Sequence, residues 1–179
     1  MDILAHGLWG GAGFYPQGTK RFGQAFLVGI APDLVSFGLF HLSRPEWIKM
    51  RLAGEISGPP PLAMIPYYVF HAYNLSHSLI IWAGVFGLIW FLARKPPWVL
   101  LAWGLHVVSD IPTHDSGYFP TPYLWPLPTP LVEGISWSQP WFMASNYTAL
   151  LAVYLGIFFC VRSKDSARRE ISKKRRPGR

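Results

Sequence analysis

Charged residues are scarce in this chain, at 14% of its 179 residues, while apolar residues make up 51%. Soluble domains carry about 25% charged residues, so the composition excludes an ordinary soluble domain. The nine Trp and eight Tyr residues are typical of side chains that anchor a protein at the bilayer interface. At the length of one domain, the chain is therefore expected to be a small integral membrane protein.

Cysteine is nearly absent, because Cys160 stands alone. A single cysteine excludes an intramolecular disulfide framework. Its place in an apolar run predicts a buried, unreactive thiol, since reactive thiols need exposed, electropositive surroundings. No basic residue precedes the first apolar stretch, and Asp2 is acidic. We therefore expect no cleavable signal peptide.

Positive charge is concentrated near the end of the sequence. The net charge is +7, and more than half of the Lys and Arg residues lie between Arg162 and Arg179. A basic segment directly after a hydrophobic span is typical of a cytoplasmic anchor that faces anionic lipid, which argues against nucleic acid as the partner. We predict a membrane-embedded helical domain over residues 1–161 and a basic, disordered cytoplasmic tail over residues 162–179.

Apolar segments separated by turns predict an all-α integral membrane bundle with four to five membrane-embedded helices. Residues 75–93 form one predicted span and residues 147–161 another, while residues 98–111 form a shorter apolar helix. The start of the chain predicts a hairpin of two short helices, at residues 3–14 and 22–30. The second of these helices is expected to continue past Asp33.

The distribution of positive charges sets the expected orientation of these helices. The basic pairs at residues 20–21 and 94–95 are placed in the cytoplasm together with the tail. Residues 112–145 then form an outer loop, whose alternate prolines between residues 119 and 130 forbid a helix and favour an extended, polyproline-like course. Its aromatic side chains are expected to lie against the membrane surface or to cap a site.

Histidine and aspartate side chains lie in or at the ends of the apolar segments. His106 and Asp110 are four residues apart and share one face of a helix. Ionisable groups inside a membrane are costly and usually functional. In the predicted topology, side chains from four separate helices converge toward the outer face. These candidate metal ligands are His6, Asp33, His77, His106 and Asp110, with His71 as a possible additional ligand.

Imidazole nitrogens and carboxylate oxygens together suit zinc, and also iron, manganese or cobalt. Three His and two Asp exceed the needs of one tetrahedral zinc, which favours a five- or six-coordinate ion or a two-metal cluster. A bound divalent ion would lower the pKa of its water to about 7 and polarise a phosphoryl or carbonyl oxygen. These properties predict hydrolysis of an ester or phosphoester in a lipid-like substrate. His114 and Asp115 are candidates for the general acid or base, or for groups that orient a ligand.

Each candidate also has a structural interpretation. His106 with Asp110 could form a hydrogen-bonded pair in a polar bundle interior. Asp33 could be an ordinary helix N-cap, and His77 an interfacial residue near a capped helix start. A non-enzymatic metal-binding or structural membrane protein is therefore the alternative to an enzyme. An ion or proton transporter is less favoured, because the sequence shows no internal repeat.

A series of short motifs runs through residues 6–126. They are His6, Pro32-Asp33, His77-Ser78 with His71 upstream, His106 with Asp110 and Thr113, Gly117, and Leu124-Trp125-Pro126. The series resembles that of bacterial inner-membrane proteins classed as membrane-bound metal-dependent hydrolases, whose metal-site pattern is similar to that of zinc-dependent phospholipase C. The resemblance implies a multi-pass protein of the bacterial inner (plasma) membrane that binds a divalent metal, preferably zinc, and acts as a phosphoesterase.

The chain departs from this family at several positions. Residues 34–37 follow Pro-Asp where members often have a second Asp and a His, and Ala72 and Ser76 stand where Arg and Thr are frequent. These departures leave a one-metal site, a changed substrate choice or lost activity as alternatives. Neither the substrate nor the oligomeric state follows from the sequence.

Overall fold

Proline, glycine and serine residues divide the apolar sequence into helices. The computed structural model describes residues 1–56 and 59–174, and within these ranges it is all-helical, with no β-strand. This part of the chain contains α1 (Ile3–Ala12), α2 (Thr19–Asp33), α3 (Leu39–Ser43), α4 (Pro45–Leu52), α5 (Tyr67–Ser76), α6 (Leu79–Ala93), α7 (Leu101–Asp110) and α8 (Pro140–Lys174). Short 3₁₀ turns lie at Tyr15–Gln17, Leu62–Met64, Trp98–Leu100 and Ile111–Thr113. The predicted all-α class is confirmed.

Two of the described helical stretches are long and apolar enough to cross a membrane, namely Thr19–Ser43 and Pro140–Lys164, of 25 residues each. The pair α5 and α6 makes a third if its bent course is counted as one span. Helices α1 and α7 have 10 residues each. Each therefore extends about 15 Å, or half of a hydrocarbon core about 30 Å thick. The described part of the chain thus has two or three candidate membrane spans, as expected of a membrane protein.

The predicted hairpin at the start of the chain is present as α1 and α2. The helical course continues past Asp33 through a π-helical turn, Leu34–Gly38, into α3. Pro32 has no N–H group and its ring crowds the preceding turn, which disturbs the regular hydrogen-bond ladder here. The Ser36 hydroxyl donates to the Pro32 carbonyl at 3.0 Å. Such π-helical turns are frequent at functional sites, and this one follows directly after Asp33.

The apolar stretch at residues 75–93 is divided between two helices. Helix α5 ends at Ser76, α6 begins at Leu79, and the pair is bent by 57°. Ser78 determines where α6 begins. Its backbone is extended, and its hydroxyl accepts a hydrogen bond from Ile81 N–H at 3.2 Å, as in a helix N-cap. The stretch predicted as one straight span is therefore broken after Ser76, and His77 lies at the bend.

The long loop after α7 packs across this bend. Leu79 N–H donates to the Tyr123 carbonyl at 2.9 Å, and the Ser78 hydroxyl donates to the Trp125 carbonyl at 2.5 Å. The same loop contributes to a buried apolar cluster with α3 and α5, made of Phe40, Ile65, Val69, Tyr73 and Phe119. The proline-rich segment is therefore anchored to the helices beside His77.

Helices α1 and α2 cross with almost no side chain between their backbones. A methyl group added at Gly29 would lie 2.8 Å from the backbone oxygen of His6, closer than such atoms normally approach. Small residues permit this kind of contact between membrane helices in general. The crossing fixes the position of His6 relative to the Gly29 backbone.

Helix α8 differs from the sequence-based expectation at three points. It begins at Pro140 rather than at residue 147, inside the segment predicted to be a loop. It runs to Lys174 and so enters the segment predicted to be a disordered tail, while residues 175–179 lie outside the described residues. The division into two domains stays a prediction. Cys160, predicted to be buried, is exposed, and the adjacent Phe159 is 63% exposed. That prediction was wrong because an apolar run on the outer face of a membrane helix has the same hydropathy as a buried one.

Replacing Gly29 by alanine tests the helix crossing. Gly29→Ala should destabilise the protein by about 1–3 kcal/mol, because the new methyl group meets backbone and forces α1 and α2 apart. Gly87→Ala in α6 is the matched control, since nothing lies within 4 Å of the added carbon. Thermal unfolding of both variants in one detergent measures the difference. Equal unfolding midpoints would contradict the close crossing.

Candidate metal centre

Five side chains that the sequence singles out come together where four helices meet. Helix α1 contributes His6, and the end of α2 contributes Asp33. The bend after α5 contributes His77, and α7 contributes His106 and Asp110. Ligand atoms of His6, Asp33 and His106 lie within 4.8 Å of one another, and so do those of His77, His106 and Asp110. These groups could hold a metal ion, and their role as ligands stays a prediction.

The Nε2 atoms of His77 and His106 face each other at 3.1 Å. Each ring is oriented through its other nitrogen. His106 Nδ1 lies 2.7 Å from the carbonyl oxygen of Gly29, and His77 Nδ1 lies 3.2 Å from that of Tyr73. A carbonyl oxygen only accepts hydrogen bonds, so His106 Nδ1 carries the ring proton, whereas His77 Nδ1 also lies 3.0 Å from the Ser76 hydroxyl, which can donate to it. His106 Nε2 therefore presents a lone pair, which either an N–H of His77 or a cation can meet.

The spacing of these atoms is compatible with a metal site. Two nitrogens that each lie about 2.1 Å from one ion are about 3.0–3.4 Å apart at octahedral or tetrahedral angles. The two Nε2 atoms fall within this interval, as do His106 Nε2 and Asp110 Oδ2, which are 3.1 Å apart. Hydrogen bonds from the second ring nitrogen to carbonyl oxygens are also a usual way of orienting metal-binding His side chains.

His6 and Asp110 contain buried polar atoms without hydrogen-bond partners among the described residues. These atoms are both ring nitrogens of His6 and Oδ2 of Asp110. His6 Nε2 lies 2.9 Å from Asp110 Oδ1. The His6 ring stacks on that of His106, with ring centroids 3.6 Å apart. Unpaired buried polar atoms are costly, and a cation could satisfy His6 Nε2 and Asp110 Oδ2.

Asp33 joins the group at a greater distance. Its Oδ1 lies 3.6 Å from His77 Nε2 and 3.8 Å from His106 Nε2. The Asp33 side chain is 19% exposed, whereas the other four candidate ligands are at most 1% exposed. Asp33 is therefore the most accessible of the five candidate ligands.

The two carboxylates, Asp33 and Asp110, also favour a cation. Uncompensated buried charge costs several kcal/mol. The Met1 ammonium compensates part of this charge, because it pairs with Asp110 Oδ1 at 2.6 Å and donates to Thr113 Oγ1 at 3.1 Å. A bound cation would compensate the rest.

Polar contacts fix the position of α1, and therefore the position of His6. Asp2 caps the helix, since its Oδ1 accepts two backbone N–H groups of the first turn at 3.1 Å each. The Tyr147 hydroxyl of α8 donates to the same oxygen at 2.8 Å. Further along α1, Trp9 Nε1 donates to Asn146 Oδ1 at 2.9 Å. Helix α8 therefore positions the start of α1 at the centre.

The other candidate residues lie at or beyond the edge of the centre. His71 is exposed on α5, with its ring centroid 4.3 Å from that of Tyr67. His114 borders the centre, because its Nδ1 lies 3.5 Å from Asp110 Oδ1 and donates to the Asp110 carbonyl at 3.2 Å. Burial lowers the pKa of His114, although the Asp110 carboxylate acts in the opposite direction. The Asp115 carboxylate accepts a hydrogen bond from Gly117 N–H at 2.9 Å.

Sequence reasoning missed several groups that orient the candidate ligands. The carbonyls of Gly29 and Tyr73 are backbone groups, so a pattern of side chains in the sequence does not reveal them. Ser76 was noted only as a family departure. Its hydroxyl donates to the Pro32 carbonyl at 3.1 Å and lies 3.0 Å from His77 Nδ1. Its place directly before His77 is the one signal that could have identified it.

No known family model matches the chain, and neither a curated protein nor a solved structure matches it. The described residues define an all-helical protein with candidate membrane spans and a buried His–Asp centre that could hold a metal ion. The resemblance of its motifs to those of membrane-bound metal-dependent hydrolases stays a prediction.

Removing His106 tests the centre most simply. His106→Ala should lose most of the bound transition metal, because His106 belongs to both groups of ligand atoms. The unaltered protein, purified without chelator, should carry about one or two ions per chain. His71→Ala, which removes an exposed imidazole, is the control. Elemental analysis measures the metal per chain, and an unchanged content in His106→Ala would contradict the assignment.

Ser76 offers a milder test. Ser76→Ala should weaken metal binding about tenfold, because it removes the hydroxyl beside His77 Nδ1 and leaves all five candidate ligands in place. Ser163→Ala, at an exposed position on α8, serves as the control. Competition with a metal-sensitive dye measures both affinities. If the two variants bind metal equally well, Ser76 does not orient a ligand.

Proposed function

We propose that the protein is a membrane-bound metal-dependent hydrolase that cleaves an ester or phosphoester bond in a lipid or lipid-linked substrate. The observation that carries the proposal is the pair of Nε2 atoms of His77 and His106, which face each other at 3.1 Å while both Nδ1 atoms lie against carbonyl oxygens. The resemblance to the membrane-bound metal-dependent hydrolases points to the same class.

The ion would be held by His6, Asp33, His77, His106 and Asp110. Nitrogen and carboxylate donors favour zinc, with iron, manganese or cobalt as alternatives. When bound, a divalent ion lowers the pKa of water and polarises the oxygen that it contacts, which is the chemistry that hydrolysis needs. More than four donors suit either one ion of higher coordination or two ions.

Hydrolysis also needs a group that moves a proton. The oxygen of water adds to phosphorus or to a carbonyl carbon, the bond to the leaving alcohol breaks, and that alcohol receives a proton. His114 is the better candidate for this transfer, since its ring borders Asp110. Asp115 is the other candidate, and its hydrogen bond with Gly117 N–H would first have to break.

The proposed substrate reaches the centre from the bilayer. Asp33, the one partly exposed member of the five, lies inside the candidate span Thr19–Ser43. The adjacent Leu34 and Val35 are exposed apolar side chains, which in a membrane would contact lipid tails. An approach along this face favours a lipid or lipid-linked molecule over a small soluble substrate.

The proposal includes four to five membrane-embedded helices, with α1 and α7 as partial spans. The protein would be a multi-pass protein of the bacterial inner membrane, with membrane lipid rather than nucleic acid as its partner. The basic pairs at residues 20–21 and 94–95 and the basic residues after Arg162 favour a cytoplasmic tail.

A non-enzymatic metal-binding membrane protein is the second candidate. Four of the five candidate ligands are at most 1% exposed, and such burial is typical of a structural ion, whose ligands need no access to substrate. This candidate predicts an ion that is retained without any turnover.

Chelator-sensitive hydrolysis tests the proposed function. The purified protein in mixed micelles should release water-soluble or diacylglycerol products from phospholipids, and chelation should stop this release until zinc is restored. His77→Ala should lower the rate about 100-fold or more, whereas His71→Ala should not. Mass spectrometry of the lipid products measures each rate. A protein that binds metal but turns over neither phospholipids nor lipid phosphates would contradict the enzyme and favour the second candidate.

A further inference from the structure

A groove runs along the open side of α6, at the end of this helix that is remote from the metal centre. Its lining residues are Gly87, Trp90, Phe91 and Arg94, and its volume is about 360 Å³. These residues are three and four positions apart, so they share one face of the helix. Gly87 leaves the floor open, because nothing lies within 4 Å of a carbon added there. Small-molecule sites have volumes of about 300–1,000 Å³, and the groove falls at the lower end of this range.

The walls of the groove are exposed aromatic side chains. Trp90 is 52% exposed and Phe91 is 64% exposed, and α6 contains no buried residue. The whole helix, Leu79–Ala93, also lacks a charged side chain. A helix that is apolar on all sides belongs in lipid or inside a protein. Since the described part of the chain leaves α6 uncovered, its composition favours lipid as the surrounding of these walls.

Arg94 places a positive charge at the end of the groove. Its guanidinium carbon lies 5.0 Å from the centroid of the Phe91 ring, so the side chain extends back along α6. This ring contact is its one interaction among the described residues. It uses none of the N–H donors of the guanidinium, whose planar shape matches phosphate. Lys95 follows directly, and no Asp or Glu occurs between residues 56 and 109. The end of the groove therefore favours an anion.

The direction of the groove matches that of a membrane lipid. Helix α6 begins two residues after His77, and Arg94 follows its last residue. Arg94 and Lys95 end the apolar run, and basic residues at this place extend to the headgroup layer. Gly87 lies seven residues earlier, or about 10 Å further into the hydrocarbon core. A lipid parallel to α6 would thus have its phosphate beside Arg94 and its acyl chain toward Gly87.

We propose that this groove binds one anionic phospholipid. The phosphate pairs with Arg94, and the first methylene groups of an acyl chain lie over Gly87 and contact Trp90 and Phe91. A free phosphate would leave the apolar walls unfilled, and a zwitterionic lipid carries an ammonium group that Arg94 repels. None of the four lining residues is a candidate metal ligand. The bound lipid is therefore a partner of the protein at a separate site, whether or not the metal centre hydrolyses lipids.

Filling the groove tests this site without changing any charge. Gly87→Leu should bind fluorescent phosphatidylglycerol about tenfold more weakly than the unaltered protein, because the new side chain occupies the place of the acyl chain. The assay uses purified, delipidated protein in a neutral detergent. Gly84→Leu is the matched control, since nothing lies within 4 Å of a carbon added there and Gly84 does not line the groove. Its affinity should be unchanged.

Removing the charge provides a second, independent variant. Arg94→Gln should also weaken phosphatidylglycerol binding about tenfold, while its weak binding of phosphatidylcholine should equal that of the unaltered protein. Arg21→Gln, which removes an exposed positive charge at the start of α2, is the control and should bind phosphatidylglycerol normally. Metal content should be the same in all four variants, because none of them alters the metal centre.

Four results would overturn the proposal. The first is an unchanged affinity for phosphatidylglycerol in Gly87→Leu, or an equal loss in the two control variants. The second is equal binding of phosphatidylglycerol and phosphatidylcholine by the unaltered protein. Displacement of the lipid by glycerol phosphate at the lipid's own affinity would assign the groove to a soluble anion. A dimer that Gly87→Leu dissociates, measured by light scattering, would assign it to a second copy of the chain.

Discussion

Two imidazole rings face each other through their Nε2 atoms within the His–Asp centre. The Gly29 carbonyl accepts the Nδ1 proton of His106, so His106 Nε2 carries a lone pair, and His77 Nε2 lies 3.1 Å from it. In an interior with little water this lone pair needs a proton donor or a cation. A cation at this point would also pair the buried Oδ2 of Asp110. The four converging helices therefore bring together groups that could hold one ion.

The irregular parts of the helices serve this centre. A π-helical turn follows Asp33, and the bend between α5 and α6 carries His77. His77, at the bend, lies 3.1 Å from His106 of α7, and Asp33, directly before the π-helical turn, lies 3.8 Å from it. The backbone groups that are freed find new partners in Ser36, Ser76 and the loop after α7. Disturbed helical geometry at this point is thus compensated locally, as is common at functional sites.

The set of converging residues could be predicted from the sequence, because positive charges orient the helices and the four-residue spacing of His106 and Asp110 defines a face. The bend at Ser78 and the π-helical turn could not, since they depend on caps and on contacts with distant segments rather than on hydropathy. The burial of Cys160 was predicted wrongly for a related reason. Hydropathy measures preference for an apolar surrounding and does not distinguish lipid from protein.

X-ray absorption spectroscopy of the purified protein tests the central claim most directly. The account predicts a transition-metal edge and a first shell of nitrogen and oxygen at about 2.0–2.2 Å, with the outer-shell scattering of at least two imidazoles. His106→Ala should reduce the imidazole contribution together with the metal. The absence of a metal edge above background, or a first shell without imidazole, would contradict a cation held between His77 and His106.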